Sequence, residues 1–92
     1  MTDTQRLGAI SMNLVRISAL YYKDQKNTVE ICQRFLDQAK RLAAEVQIPA
    51  VQPYLRQLHL LSLQPGDESV THTAERFLTL GSLLQDPEHW GH

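Results

Sequence analysis

The chain reads as an all-α protein, an antiparallel up-down four-helix bundle, and three observations carry that reading. Apolar residues recur at steps of three and four through four segments. Polar or proline-bearing punctuation separates those segments. The connections are too short to cross a bundle end diagonally, so consecutive helices are expected to lie antiparallel as neighbours. The helices are expected over roughly 4–22, 28–47, 50–63 and 67–85, in one domain spanning 1–92.

In the first segment Leu7, Ile10, Leu14, Ile17 and Tyr21 define one helical face, and no proline interrupts them. The polar run Lys23-Asp24-Gln25-Lys26-Asn27 follows and reads as a connection, with Asn27 as cap of the second helix and Glu30 reaching back to it. That helix sets Val29, Cys32, Phe35, Leu36, Ala39, Leu42, Ala43 and Val46 on one side. Its other side holds Glu30 with Arg34, Asp37 with Arg41, and Arg41 with Glu45, each at i,i+4 spacing, so it reads as a solvated face. Pro49 should end the helix at or before Ile48, and Pro53 suits the opening turn of the third. Val51, Leu55, Leu58 and Ser62 define the inner side of that third helix. Gln64-Pro65-Gly66-Asp67 is a turn signal, and Asp67 or Ser69 can cap a fourth helix that carries Val70, Ala74, Phe77, Leu78, Gly81 and Leu84 inward. Pro87 ends it.

Ninety-two residues suffice for one domain that buries something over ~60% of the surface of its unfolded chain. Nine Lys and Arg against ten Asp and Glu give a net charge of −1, without the basic excess that draws nucleic acid or anionic lipid. The start Met1-Thr2-Asp3-Thr4 has no basic segment ahead of an apolar core, so no secretory signal is expected and the mature chain is expected to begin here. Asn13 and Arg16 break the longest apolar stretch, which falls short of a membrane span. The lone Cys32 cannot close an intramolecular disulfide and sits among helical apolar residues, so a buried thiol in a reducing, cytoplasmic setting is expected.

The first helix carries more apolar residues than one core needs. Arg16 is the sole formal charge between Leu7 and Tyr22, while Met12, Val15, Ala19, Leu20 and Tyr22 fall outside the main stripe. A bundle hides one wide stripe of each member, so a further covering surface is expected. Gly8, Ser11 and Ser18 would let another helix backbone approach closely, which points to a homodimer through the first helix; the alternative is a first helix lying centrally under an irregular arrangement of the other three, with the Tyr21 and Tyr22 hydroxyls reaching solvent at its end. On the third helix Leu60 and Leu63 also lie outside the core stripe. Trp90 of the tail Asp86-Pro87-Glu88-His89-Trp90 either folds over them or joins them in rimming a groove for a partner helix. The candidate interaction surface is therefore Met12, Val15, Leu20, Tyr22, Leu60, Leu63 and Trp90.

Chemistry has little foothold in the sequence. His72 and Glu75 have the i,i+3 spacing of bundle metal sites, but the carboxylates Glu30, Asp37 and Glu45 lie on a solvated face. His89 and His92 sit near the chain end, and His59 lies at the border of the third helix's core stripe with no acid or nucleophile paired to it. Cys32 points inward, without the exposure a nucleophile needs. The four glycines are scattered singly and form no phosphate loop. Residues 42–58 resemble a helix-turn-helix through Leu42, Ala43, Val46, Ile48, Val51, Leu55 and Leu58. Gln47 stands at the turn where glycine is usual, Pro53 lies in the second helix, and Arg56 is its one cation.

The sequence thus leads to a non-catalytic helical interaction or adaptor module, homodimeric through the first helix. The alternatives are a small DNA-binding regulator using residues 42–58, and a metal- or ligand-binding bundle built on His59, His72 and Glu75. No catalytic residue, cofactor or metal is expected. Self-association is the expected partnership, another protein comes second, and nucleic acid and membrane are not expected partners.

Overall fold

Thr2 opens the first helix. In a computed structural model that describes residues 1–63 and 70–85, the Gln5 backbone N–H donates to Thr2 Oγ1 at 3.1 Å. The Thr2 N–H donates in return to Gln5 Oε1 at 2.9 Å. This reciprocal capping box satisfies two amides that the first turn would otherwise leave unpaired. The helix, α1, runs over Asp3–Lys23 and buries Leu7, Ile10, Leu14, Ile17 and Tyr21, the face expected from the periodicity.

The polar run after it is not a loop. Asp24 alone separates α1 from α2, Gln25–Ala43. Its own N–H closes α1 on Leu20 O at 2.9 Å, and its carboxylate accepts from the backbone N–H of Asn27 at 3.3 Å and from Asn27 Nδ2 at 2.9 Å. Asp24, rather than Asn27, is therefore the cap, and α2 begins earlier than expected. Thr28 Oγ1 donates to Leu20 O, Cys32 Sγ lies 3.9 Å from Ile17 O, and Asn13 Nδ2 donates to Phe35 O. Contacts that descend α1 while ascending α2 make the two helices antiparallel.

The second helix also ends earlier, at Ala43, and the chain turns through 44–45 to bury Val46. Ile48 is extended (φ −69°, ψ 116°), as the residue before a proline must be. A 3-10 turn at Pro49–Val51 leads into α3, Gln52–Leu60, with Pro53 in its first turn. Gln52 Nε2 holds this connection by donating to Val46 O at 3.1 Å and to Ile48 O at 3.2 Å. The third helix stops at Leu60, short of the expected end, and Lys40 Nζ donates to the Leu61 carbonyl at 2.9 Å.

The fourth helix, α4, spans Val70–Gln85 and packs antiparallel along α1. Ser11 Oγ donates to Gly81 O at 2.6 Å, and seven residues on Ser18 Oγ donates to Ala74 O at 2.8 Å, seven residues back. Its inward face is rotated from the expected one: Leu80 is buried, while Leu78 is exposed. The Gln64-Pro65-Gly66-Asp67 turn, the caps Asp67 and Ser69, and Pro87 lie outside the described residues. All four helices feed one contiguous core, and no strand occurs among the described residues, so the fold is an all-α four-helix bundle.

An ionic clasp fastens the start of α1 to the α2–α3 connection. Asp3 Oδ1 accepts from Arg6 Nη1 at 2.7 Å, Asp3 Oδ2 accepts from the Gln47 backbone N–H at 2.9 Å, and Arg6 Nε lies 3.3 Å from Glu45 Oε2. The expected i,i+4 pairs on α2 do not form. Glu45, beyond the helix end, turns to Arg6, Asp37 accepts from Gln33 Nε2, and Arg41 Nε donates to the Asp37 carbonyl. The Gln47 amide, aided by Arg6, holds the Asp3 carboxyl below its ordinary pKa. The clasp's contribution is therefore complete above the unfolded-state value of about 3.9 and is lost as pH falls through the depressed folded value. In a carboxyl NMR titration Asp3 is expected to show a midpoint below about 3.9, with the Gln47 amide exchanging faster once it is passed. A midpoint at or above that value would mean the clasp is absent in solution.

Candidate interaction surface

The outward side of α1 is a continuous uncharged stripe. Gly8, Met12, Val15, Ala19 and Tyr22 follow one another at steps of four, three, four and three, the spacing of a helical seam that meets another helix. Met12 is 54% exposed and Tyr22 64%, Val15 and Ala19 are exposed, and nothing stands within 4 Å of the place a Cβ on Gly8 would occupy. Arg16 and Lys23 border the stripe, with the Arg16 guanidinium 5.9 Å from the centre of the Phe35 ring, at the outer reach of a cation–π contact. Two more exposed apolar side chains stand on the helices packed against α1, Ile31 on α2 and Leu78 on α4.

Several expected members belong elsewhere. Leu20 is half-buried and packs against the core on the α2 side, so it adds little to the outer stripe. Ser11 and Ser18 are buried, and their hydroxyls bind α4. Their small size serves an approach within the chain, and of the three small residues only Gly8 remains on the outer side. Leu63 is buried because the chain leaves helical geometry after Leu60 and turns Leu63 inward, beside Gln25, Lys26 and Val29. Leu60 itself is 84% exposed at a cleft of about 480 Å³ between α3 and α4, with Leu61, Leu80 and Leu83 on its walls. The groove expected from Leu60, Leu63 and Trp90 is thus divided between two places, and Trp90 lies outside the described residues. Ile31 and Leu78 were not anticipated as surface residues. The one signal for Ile31 was its absence from the α2 core stripe.

The three side chains expected to build a metal or ligand site, His59, His72 and Glu75, do not converge. His72 and Glu75 line the α3–α4 cleft, whereas His59 lines a different one beside Ala43, Val46 and Arg56. Among the described residues no group of three His, Cys, Asp or Glu is placed to hold a metal ion, and His89 and His92 lie outside those residues. Burial pushes the Cys32 thiol pKa up, with partial relief from the Thr28 hydroxyl, so the nucleophilic thiolate is disfavoured. Between α2 and α3 stand five non-helical residues and a 3-10 turn, and the exposed side of α3 offers Arg56 as its one Lys or Arg. No helix among the described residues is long and apolar enough to cross a membrane.

No protein-family model matches this chain, and neither a curated protein nor a solved structure does.

Proposed function

We propose that the chain is a non-catalytic helical protein–protein interaction module that self-associates through the outer face of α1. The observation that carries this reading is the uncharged stripe of Gly8, Met12, Val15, Ala19 and Tyr22, half-buried at Gly8 and exposed at the other four, and spaced as a helical seam. The separation of His59 from His72 and Glu75, and the burial of Cys32, support the non-catalytic part of the reading. A buried, unpaired thiol fits a reducing, cytoplasmic setting.

The test is the molar mass of untagged protein by light scattering during size-exclusion chromatography, repeated over a wide concentration range. Twice the chain mass, falling toward the monomer on dilution, is the expected result. A monomer at every concentration would overturn self-association and leave the stripe to a different protein.

A further inference from the structure

The cleft between α3 and α4 is walled by Leu60, Leu61, Leu80 and Leu83, with Gln57 and Thr79 among its polar members. Leu60 is more exposed than any other large apolar side chain among the described residues. At about 480 Å³ the cleft falls within the ~300–1,000 Å³ that encloses a small organic group. An indole matches this lining. Its ring is an apolar body for the leucines, and its single N–H is a donor that Gln57 Oε1 or Thr79 Oγ1 can accept.

The chain has one indole, on Trp90, and the cleft begins two residues before the segment that carries it. The fourth helix ends at Gln85, and Leu83 is half-buried on the cleft wall. Pro87 has no N–H with which to continue a helix, so the chain can turn back directly after Gln85. Trp90 stands five residues beyond Gln85, a reach of up to about 16 Å. From Gln85, Leu83 and Leu80 lie only about 3 and 8 Å back along the helix axis. Charge favours the same return. Residues 1–63 and 70–85 hold all nine Lys and Arg against six acids, a formal charge of +3, whereas 86–92 carries Asp86 and Glu88 and no Lys or Arg. We propose that the chain's own segment 86–92 folds back into the α3–α4 cleft and seats the Trp90 indole against Leu60. The outer face of α1 takes no part in this contact, so the inference stands apart from the self-association proposed above.

Because Trp90 is the sole tryptophan, its fluorescence reports this segment alone. In the native chain the emission maximum is expected well to the blue of its position in urea, unchanged by dilution, with acrylamide quenching several-fold weaker. Leu60→Asp places an acid at an exposed site beside an acidic segment, and is expected to move the emission most of the way to the urea value while circular dichroism shows the bundle still folded. Leu60→Ser, which adds no charge, is expected to move it part of the way. Met12→Asp, on the outer face of α1, is expected to leave it in place. Native emission equal to that in urea would mean the segment lies in water and would overturn the proposal. Blue emission that neither Leu60 variant moves, or that Met12→Asp moves instead, would seat Trp90 elsewhere and overturn it. Emission that reddens on dilution would mean that a second copy supplies the contact, which overturns a return within the chain.

Discussion

Leu14→Asp is expected to abolish cooperative folding, whereas Met12→Asp, two residues earlier on the same helix, is expected to fold normally and lose self-association. Leu14 is fully buried between α2 and α4, and truncating a leucine to alanine at such a site costs about 2–5 kcal/mol from lost burial and the remaining cavity. Aspartate adds a carboxylate with no cation beside it, which must stay charged in an apolar interior or take up a proton to enter it. The sum approaches the whole stability of a domain this size, about 5–10 kcal/mol. Met12 is more than half exposed, so a carboxylate there keeps its water and the fold should change by less than about 1 kcal/mol. In a face-to-face dimer the same carboxylate would give up its water inside the seam, where Arg16, one turn on at the border, is the cation within its reach. Thermal melts followed by circular dichroism, with light scattering on each variant, separate the two effects. A Leu14→Asp protein that melts like its parent would refute the register of α1, and a Met12→Asp protein that stays dimeric would remove the stripe as the contact.

Periodicity reports which face of a helix is apolar, and that is why the four helices and most of the core were legible in the sequence. Leu7, Ile10, Leu14, Ile17, Cys32, Leu36, Leu55, Leu58 and Phe77 are all buried as their spacing requires. Helix ends were less legible because they depend on hydrogen bonds at single residues. Asp24 closes one helix and opens the next, so a polar run that reads as a loop is the first turn of α2. Periodicity also does not say which neighbour a face meets. The small side chains of Ser11 and Ser18 predicted a close helical approach, and such an approach exists, but the partner is α4 of the same chain. Leu63 was misplaced because a helical projection has no meaning once the helix has ended at Leu60. In the candidate surface, Met12, Val15 and Tyr22 were legible as surplus apolar residues, whereas Leu78 was assigned inward and Ile31 not at all.

That close approach of α1 and α4 leaves little room at Gly81 for a larger side chain. A Cβ there would stand 3.2 Å from the Ser11 carbonyl oxygen, 3.3 Å from Leu14 Cβ and 3.3 Å from Val15 Cγ2. Alanine needs its neighbours to give by a few tenths of an ångström and gains up to about 1 kcal/mol of helix propensity, so the two effects nearly cancel. Valine has no such balance. Its two further carbons must push the helix axes apart, at a cost of about 1–3 kcal/mol for overpacking, and the shift draws the Gly81 carbonyl away from the Ser11 hydroxyl, a bond worth about 1 kcal/mol. Urea unfolding is therefore expected to find Gly81→Ala within about 1 kcal/mol of the parent and Gly81→Val several times more damaging. Ser11→Ala should then cost less in the Gly81→Val background than alone, because the bond it removes is already strained or broken. Strictly additive effects, with Gly81→Val as stable as the parent, would mean that the helices do not touch here. The same contact fixes the outer face of α1, since Ser11 and Gly8 lie within one turn of each other. A helix pinned by α4 on its inner side cannot rotate to hide Met12 and Tyr22, so the apolar stripe stays on the surface.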